Sequence, residues 1–238
     1  MEVTTKALVF SAVKYGEADL IVSCFTEVAG LKSYLLHGIL KSKKGKLKAS
    51  LFQPLMLLEI VAHHRNKGGL ERIKEAKAVL HYHTLHTQVL KAGMVLFLAE
   101  MLKTSIQEEE PNLDLFHYLE QSLFWLDHHD QIANFHISFL LKLSAYLGFY
   151  PDASNIESQY FNLIDGNFQE IPNGDSCEKG PNVTALKAFF GIDFDAIPQI
   201  KLTKKVRLET LDLLLKYYQL HIQNFRNPKS LLVLNQLY

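Results

Sequence analysis

The chain has 238 residues, 48% of them hydrophobic with 15 Phe and 10 Tyr, and its 25 Lys and Arg balance 25 Asp and Glu. That length suits two unequal domains, or one with a substantial extension, and core size is no constraint. The longest strongly apolar run, Ala92 to Leu102, contains Glu100 and is about half of what a bilayer crossing needs, and MEVTTKALVF lacks the pattern of a secretory signal, so a cytoplasmic protein is expected.

From Val3 to about Leu80 the pattern is that of short strands: KALVFSAVKYG, DLIVSCFTEVAG, LKSYLLHGIL, LFQPLMLLEIVAHH and LERIKEAKAVL. Each is rich in Val, Ile, Leu, Tyr or Phe, and the breaks carry Gly or charge. Five strands in about 80 residues predict a small barrel of the OB type, because closing the sheet removes exposed edges. After His81 the period lengthens. Leu85, Val89, Ala92, Leu96 and Ala99 recur at steps of four and three, which predicts a helix with these residues on one face. Further helices are expected over LDLFHYLEQSLFWLDHH and IANFHISFLLKLSAYLG, the latter ending at Gly148 with Pro151 beyond. Residues 150–181 read as irregular apart from a short hairpin in SQYFNLIDGNFQEI around Asp165-Gly166. Helices resume near Val183, and the last long one carries Leu208, Leu211, Leu215, Tyr218 and Ile222 on one face. The fold class is therefore α+β: an OB-type domain over 1–80 and a mostly helical domain over 81–238.

The zero net charge hides an asymmetry. Residues 1–80 hold 13 Lys and Arg against 7 Asp and Glu, and the remainder 12 against 18. Between Glu27 and Glu59 there is no acid, while Lys32, Lys41, Lys43, Lys44, Lys46 and Lys48 fall in the gap. Most lysine-rich loops are solvated surface, but mobile ammonium groups projecting from one rim suit phosphates whose position varies. OB-type barrels add aromatic platforms for unpaired bases, and Tyr34 and His37 are the nearest candidates, with Phe52 a weaker one.

Other chemistry is thinly represented. Cys24 and Cys177 lie far apart, one in an apolar segment and one in a polar loop, so neither a disulfide framework nor a zinc motif follows. His81, His83 and His86 crowd the junction, with His63-His64 as possible neighbours, but without a carboxylate or cysteine at regular spacing they make a poor metal site. Glu108-Glu109-Glu110 before Pro111 reads as a solvated loop, and no phosphate loop, nucleophile elbow or His-Glu-x-x-His pattern is present. An enzyme is not indicated.

The order of features resembles a known family. Tyr15-Gly16-Glu17 with Asp19, Phe25-Thr26 with Gly30, Gly38 before a basic run, Leu51-Phe52-Gln53-Pro54, LERIKEAKAV and the terminal YYQLHIQNFRNPKSLLVL look like the bacterial DNA repair protein RecO family. The likeness is strong up to about residue 80 and weak between 110 and 200. It implies an OB-fold followed by a helical domain, and a non-enzymatic role in recombinational repair. Members bind single- and double-stranded DNA, anneal strands coated with the single-strand-binding protein SSB, and work with RecR to load RecA, in the cytoplasm at the nucleoid. The family's basic DNA contacts map onto Lys32 and the run from Lys41 to Lys48. Many members hold zinc through paired cysteines in the helical half, but LGFYPDASNIESQYFNLIDGNFQ has none, so no zinc cofactor is expected. Packing of Tyr150, Tyr160, Phe161 and Phe168 is expected to hold that region instead. The alternative from another class is an adaptor whose lysines meet an acidic protein partner.

Overall fold

The computed structural model describes residues 1–41, 47–65, 69–107 and 109–238. They form two compact units, Met1–Asp127 and His128–Tyr238.

In the first unit, β1 (Glu2–Tyr15), β2 (Asp19–Thr26), β3 (Gly30–Leu36), β4 (Leu57–His63) and β5 (Arg72–Ala78) form one antiparallel sheet in the order β3-β2-β1-β4-β5. The five expected strands are all present. The ladder does not run on around a closed barrel. Among the described residues its edges meet at one parallel bridge, between Tyr34 and Glu71, where the Leu35 N–H donates to the Glu71 carbonyl at 2.9 Å and the Glu71 N–H to the Ser33 carbonyl at 2.8 Å.

Alternation along the strands separates two faces. Ala7, Val9, Val22, Cys24, Tyr34, Ile60, Ala62 and Ile73 pack together on the inner one. On the outer one Leu8, Phe10 and Phe25 are equally buried, with Phe10 stacked on Phe25 at 5.9 Å between ring centres and Phe25 against Phe116 at 6.0 Å. Phe116 belongs to α2 (Leu113–His128), which follows α1 (Val89–Ser105). A bulge between Val9 and Ser11 realigns β1 against β2.

The first helix forms, but the face the period suggests packs only in part: Leu85 and Ala99 are buried and Ala92 half-buried, while Val89 and Leu96 are exposed and Met94, Val95, Phe97, Leu98, Met101 and Leu102 are buried. AGMVLFLAEML is apolar around most of its circumference, so spacing alone does not select the side that packs. The connection into α1 is pinned by Asp127, whose carboxylate accepts the backbone N–H groups of His83, Thr84 and Leu85 at 2.7–3.0 Å. The buried Lys91 ammonium donates to the Thr84 hydroxyl and the Asp127 carbonyl, both at 2.8 Å. His86 faces the Pro54 carbonyl at 2.9 Å. Among the described residues, no three His, Cys, Asp or Glu side chains are grouped to hold a metal.

In the second unit α3 (Phe135–Tyr146) stops as expected before Gly148, whose φ of +84° turns the chain. The hairpin also forms as β6 (Tyr160–Asn162) and β7 (Asn167–Gln169), with β8 (Cys177–Glu178) added beside β6. Gly166 in its turn has φ +62°, and a Cβ there would collide with the Tyr217 hydroxyl. Three helices complete the unit: α4 (Pro181–Lys187), α5 (Lys204–His221) and α6 (Leu231–Leu237). Leu211, Leu215 and Tyr218 of α5 are buried, as their spacing implies, while Leu208 is half-buried and Ile222, just past the helix end, half-buried too. Aromatic packing organises the cysteine-poor region: Phe161 meets Phe168 at 5.1 Å and Tyr217 at 5.5 Å, while Phe168 and Tyr150 each meet Phe190 at 5.6 Å.

Candidate nucleic-acid interface

The acid-free lysine stretch leaves β3 at a well-anchored point. Asp19, which opens β2, accepts the Gly38 N–H at 2.7 Å and sits 3.1 Å from the His37 ring. The Gly38 N–H, and after it the His37 ring, hold the Asp19 carboxyl below the usual carboxylate range. Gly38 turns with φ +66°, and the Leu40 N–H donates to the Ala18 carbonyl at 2.9 Å. The chain from 37 to 41 is thus folded back across the β1–β2 turn. Lys41 is exposed and its ammonium lies 2.8 Å from Glu17 of that turn, an exposed pair of the kind worth at most about 1 kcal/mol. Lys43, Lys44 and Lys46 lie outside the described residues. Lys48 is exposed, just before the 3-10 turn Ala49–Phe52.

Three of the side chains picked from sequence are placed otherwise. Lys32 stands opposite Cys24, on the strand face that lines the core, and its side chain is only 13% exposed. Its ammonium reaches out of that end of the sheet to the Glu109 carboxylate at 3.0 Å. Lys32 is near the start of β3 and His37 just past its end, about 16 Å along the strand at about 3.3 Å per residue. Lys32 and Lys41 therefore lie toward opposite ends of β3. Gly30 completes the Lys32 end: with φ +60°, an added Cβ would fall 2.7 Å from the Glu109 carbonyl group.

Tyr34 is fully buried, so it offers no platform to a base. Its hydroxyl lies 2.9 Å from His64 Nε2, and burial pushes the phenol pKa well up. Burial also lowers the His64 pKa. Strand alternation is the reason: Tyr34 pairs with Val22 on the inner face. Phe52 is buried for its own reason, packed under the sheet by the 3-10 turn.

The exposed aromatics at the lysine-bearing end are His37 and one that loop-centred reasoning passed over, Tyr15 at the end of β1. Its signal in the sequence is its place in the Tyr15-Gly16-Glu17 turn, where a large side chain has little neighbouring chain to bury it. Lys14 beside it is exposed and, among the described residues, makes no ion pair.

In the second unit a groove of about 600 Å³ is lined by Lys179, Lys216, Glu209, Asp212, Leu208 and Asn235 among others. Lys216 is already engaged by Glu178 and Asp212, each at 3.2 Å. The groove's two lysines are matched by two carboxylates.

Family comparison agrees with this architecture. A model of the recombination protein O N-terminal domain matches residues 1–82, and one of its C-terminal domain matches residues 86–231. The protein named DNA repair protein RecO of Christiangramia forsetii is 54% identical over the full length of both chains. That of Flavobacterium psychrophilum is 44% identical, also over both full lengths. That of Bacteroides fragilis is 34% identical over 98% of each. The chain belongs to the recombination protein O family.

Proposed function

We propose that this protein is a DNA repair and recombination mediator that binds single- and double-stranded DNA, promotes annealing and, with RecR, helps load recombinase onto SSB-coated strands. Family membership supports the repair and recombination role. What supports the DNA contact is that the acid-free stretch leaves β3 anchored at Gly38 to Asp19 and is exposed at Lys41, while Lys48 is exposed as well.

The mechanism is electrostatic and no bond is made or broken. Lys41, Lys43, Lys44, Lys46 and Lys48 neutralise phosphates and release condensed counterions, which is the source of affinity. The Glu17 contact of Lys41 is weak and exposed, so a phosphate can replace it. Two strands with neutralised backbones are freed from the repulsion that opposes pairing, and annealing follows. Lys32, held by Glu109 at the far end, contributes to the fold.

Changing Lys41, Lys43 and Lys44 together to Glu tests the reading. Affinity should fall, and the slope of log affinity against log salt should flatten by about 0.7–0.9 for each phosphate no longer neutralised. An unchanged slope, with acidic-peptide binding present in the parent and lost in the variant, would instead identify an adaptor whose lysines meet protein.

A further inference from the structure

The outer face of the first three strands is covered at one end and open at the other. Near the β2–β3 turn, Leu8, Phe10 and Phe25 are buried, Phe25 against Phe116 of α2. Toward the β1–β2 turn, register and alternation place Val13 and Tyr15 of β1, Ile21 and Asp19 of β2, and Leu35 and His37 of β3 on the same outer side. Val13 is 54% and Tyr15 55% exposed, His37 is exposed, and Ile21 and Leu35 are half-buried. Lys14, on the opposite side of β1, is exposed too. The hairpin end therefore projects beyond the packed part of the sheet, and Tyr15 is not needed to fill a core.

The same end is where the lysine stretch departs. Tyr15 pairs with Asp19, the residue that binds both the Gly38 N–H and the His37 ring, and Glu17 of the intervening turn pairs with Lys41. Strand pairing thus sets Tyr15 next to Asp19 in the ladder, and the His37 ring lies 3.1 Å from the Asp19 carboxylate. Planar apolar surface lies beside a source of positive charge, on a strand scaffold and not on a loose loop. A duplex hides the faces of its bases, so such a surface serves an unpaired strand.

We propose that Tyr15 is a stacking site for an unpaired base of single-stranded DNA, with Val13 and His37 flanking it, while a phosphate next to that base is met by Lys41. This rests on the DNA-binding reading above and adds a basis for distinguishing single from double strands. The ring does the work, so the hydroxyl is dispensable.

The test uses the full chain, an oligo-thymidine strand and a duplex of equal length, with binding followed by fluorescence anisotropy. Tyr15→Ala should weaken single-strand binding by about 5- to 150-fold, the range for one stacked base. It should leave duplex affinity and both salt slopes as they are, and Tyr15→Phe should bind like the parent. Unaltered single-strand affinity in Tyr15→Ala would overturn the inference, as would an equal loss on the duplex or a loss shared by Tyr15→Phe. The lysine triple variant is measured alongside. If it loses both ligands while Tyr15→Ala loses neither, the stacking site fails and DNA binding stands; if the triple variant loses nothing, DNA binding fails as well.

Discussion

Lys32 and Lys41 belong to one acid-free stretch, yet their surroundings give them different work. Lys32 buries its stem against the inner sheet face and presents its ammonium to Glu109, whereas Lys41 is exposed and held only by Glu17. A side chain with a buried stem and a fixed partner reports on stability. Lys32→Ala should therefore lower the unfolding free energy by about 1 kcal/mol, through the missing ion pair and looser packing, and leave the DNA salt slope unchanged. Denaturant titration and binding isotherms on the same preparation check both halves. Positive charge was legible at these residues in the sequence, but its availability was not, because Glu109 is 77 positions away. The buried Tyr34 carries the same lesson, since inward or outward facing depends on register and not on residue type.

At the scale of elements, the clamp at Asp127 joins the end of α2 to the turn before α1. Burial by itself would raise its pKa, but the N–H groups of His83, Thr84 and Leu85 and the Thr84 hydroxyl prevail and bring it down to about 2. A carboxyl depressed in the folded state contributes stability that is fully present above its unfolded pKa and is lost as pH falls through the folded value. The Asp127 contribution should be constant from neutral pH to about 4 and disappear toward 2. Asp127→Asn should remove about 2 kcal/mol at neutral pH, and the parent–variant difference should shrink across that acid window. Stability measured by denaturant at a series of pH values gives the difference directly. Strands, helices and the 160–169 hairpin were readable from period, glycines and turn residues. The face of α1 was not, since a helix apolar nearly all round packs wherever neighbours happen to lie.

For the whole molecule the relevant quantity is where charge sits. The compact first unit has 15 Lys and Arg against 14 Asp and Glu, so the excess of residues 1–80 is offset within it. The offset is spatially biased: Glu109 and Glu120 pair with Lys32 and Lys6, and His117 lies 3.9 Å from Glu27, all toward the helix-covered part of the sheet. With net charge nearly cancelled, the proposed DNA contact should depend on local charge. Five engaged lysines give a slope of log affinity against log salt of about −3.5 on single strands and about −4.5 on duplex DNA. A much steeper measured slope would mean that cations outside the run take part.

By itself the sequence determined the strand count, the change to helices after residue 80, the family and the lysine run, because period, turn chemistry and local charge are properties of neighbouring residues. Only the tertiary structure decided that Lys32 is engaged by Glu109, that Tyr34 is core and Tyr15 surface, and which side of α1 packs. Those outcomes depend on strand register and on carboxylates brought in from distant positions, and no local pattern encodes either.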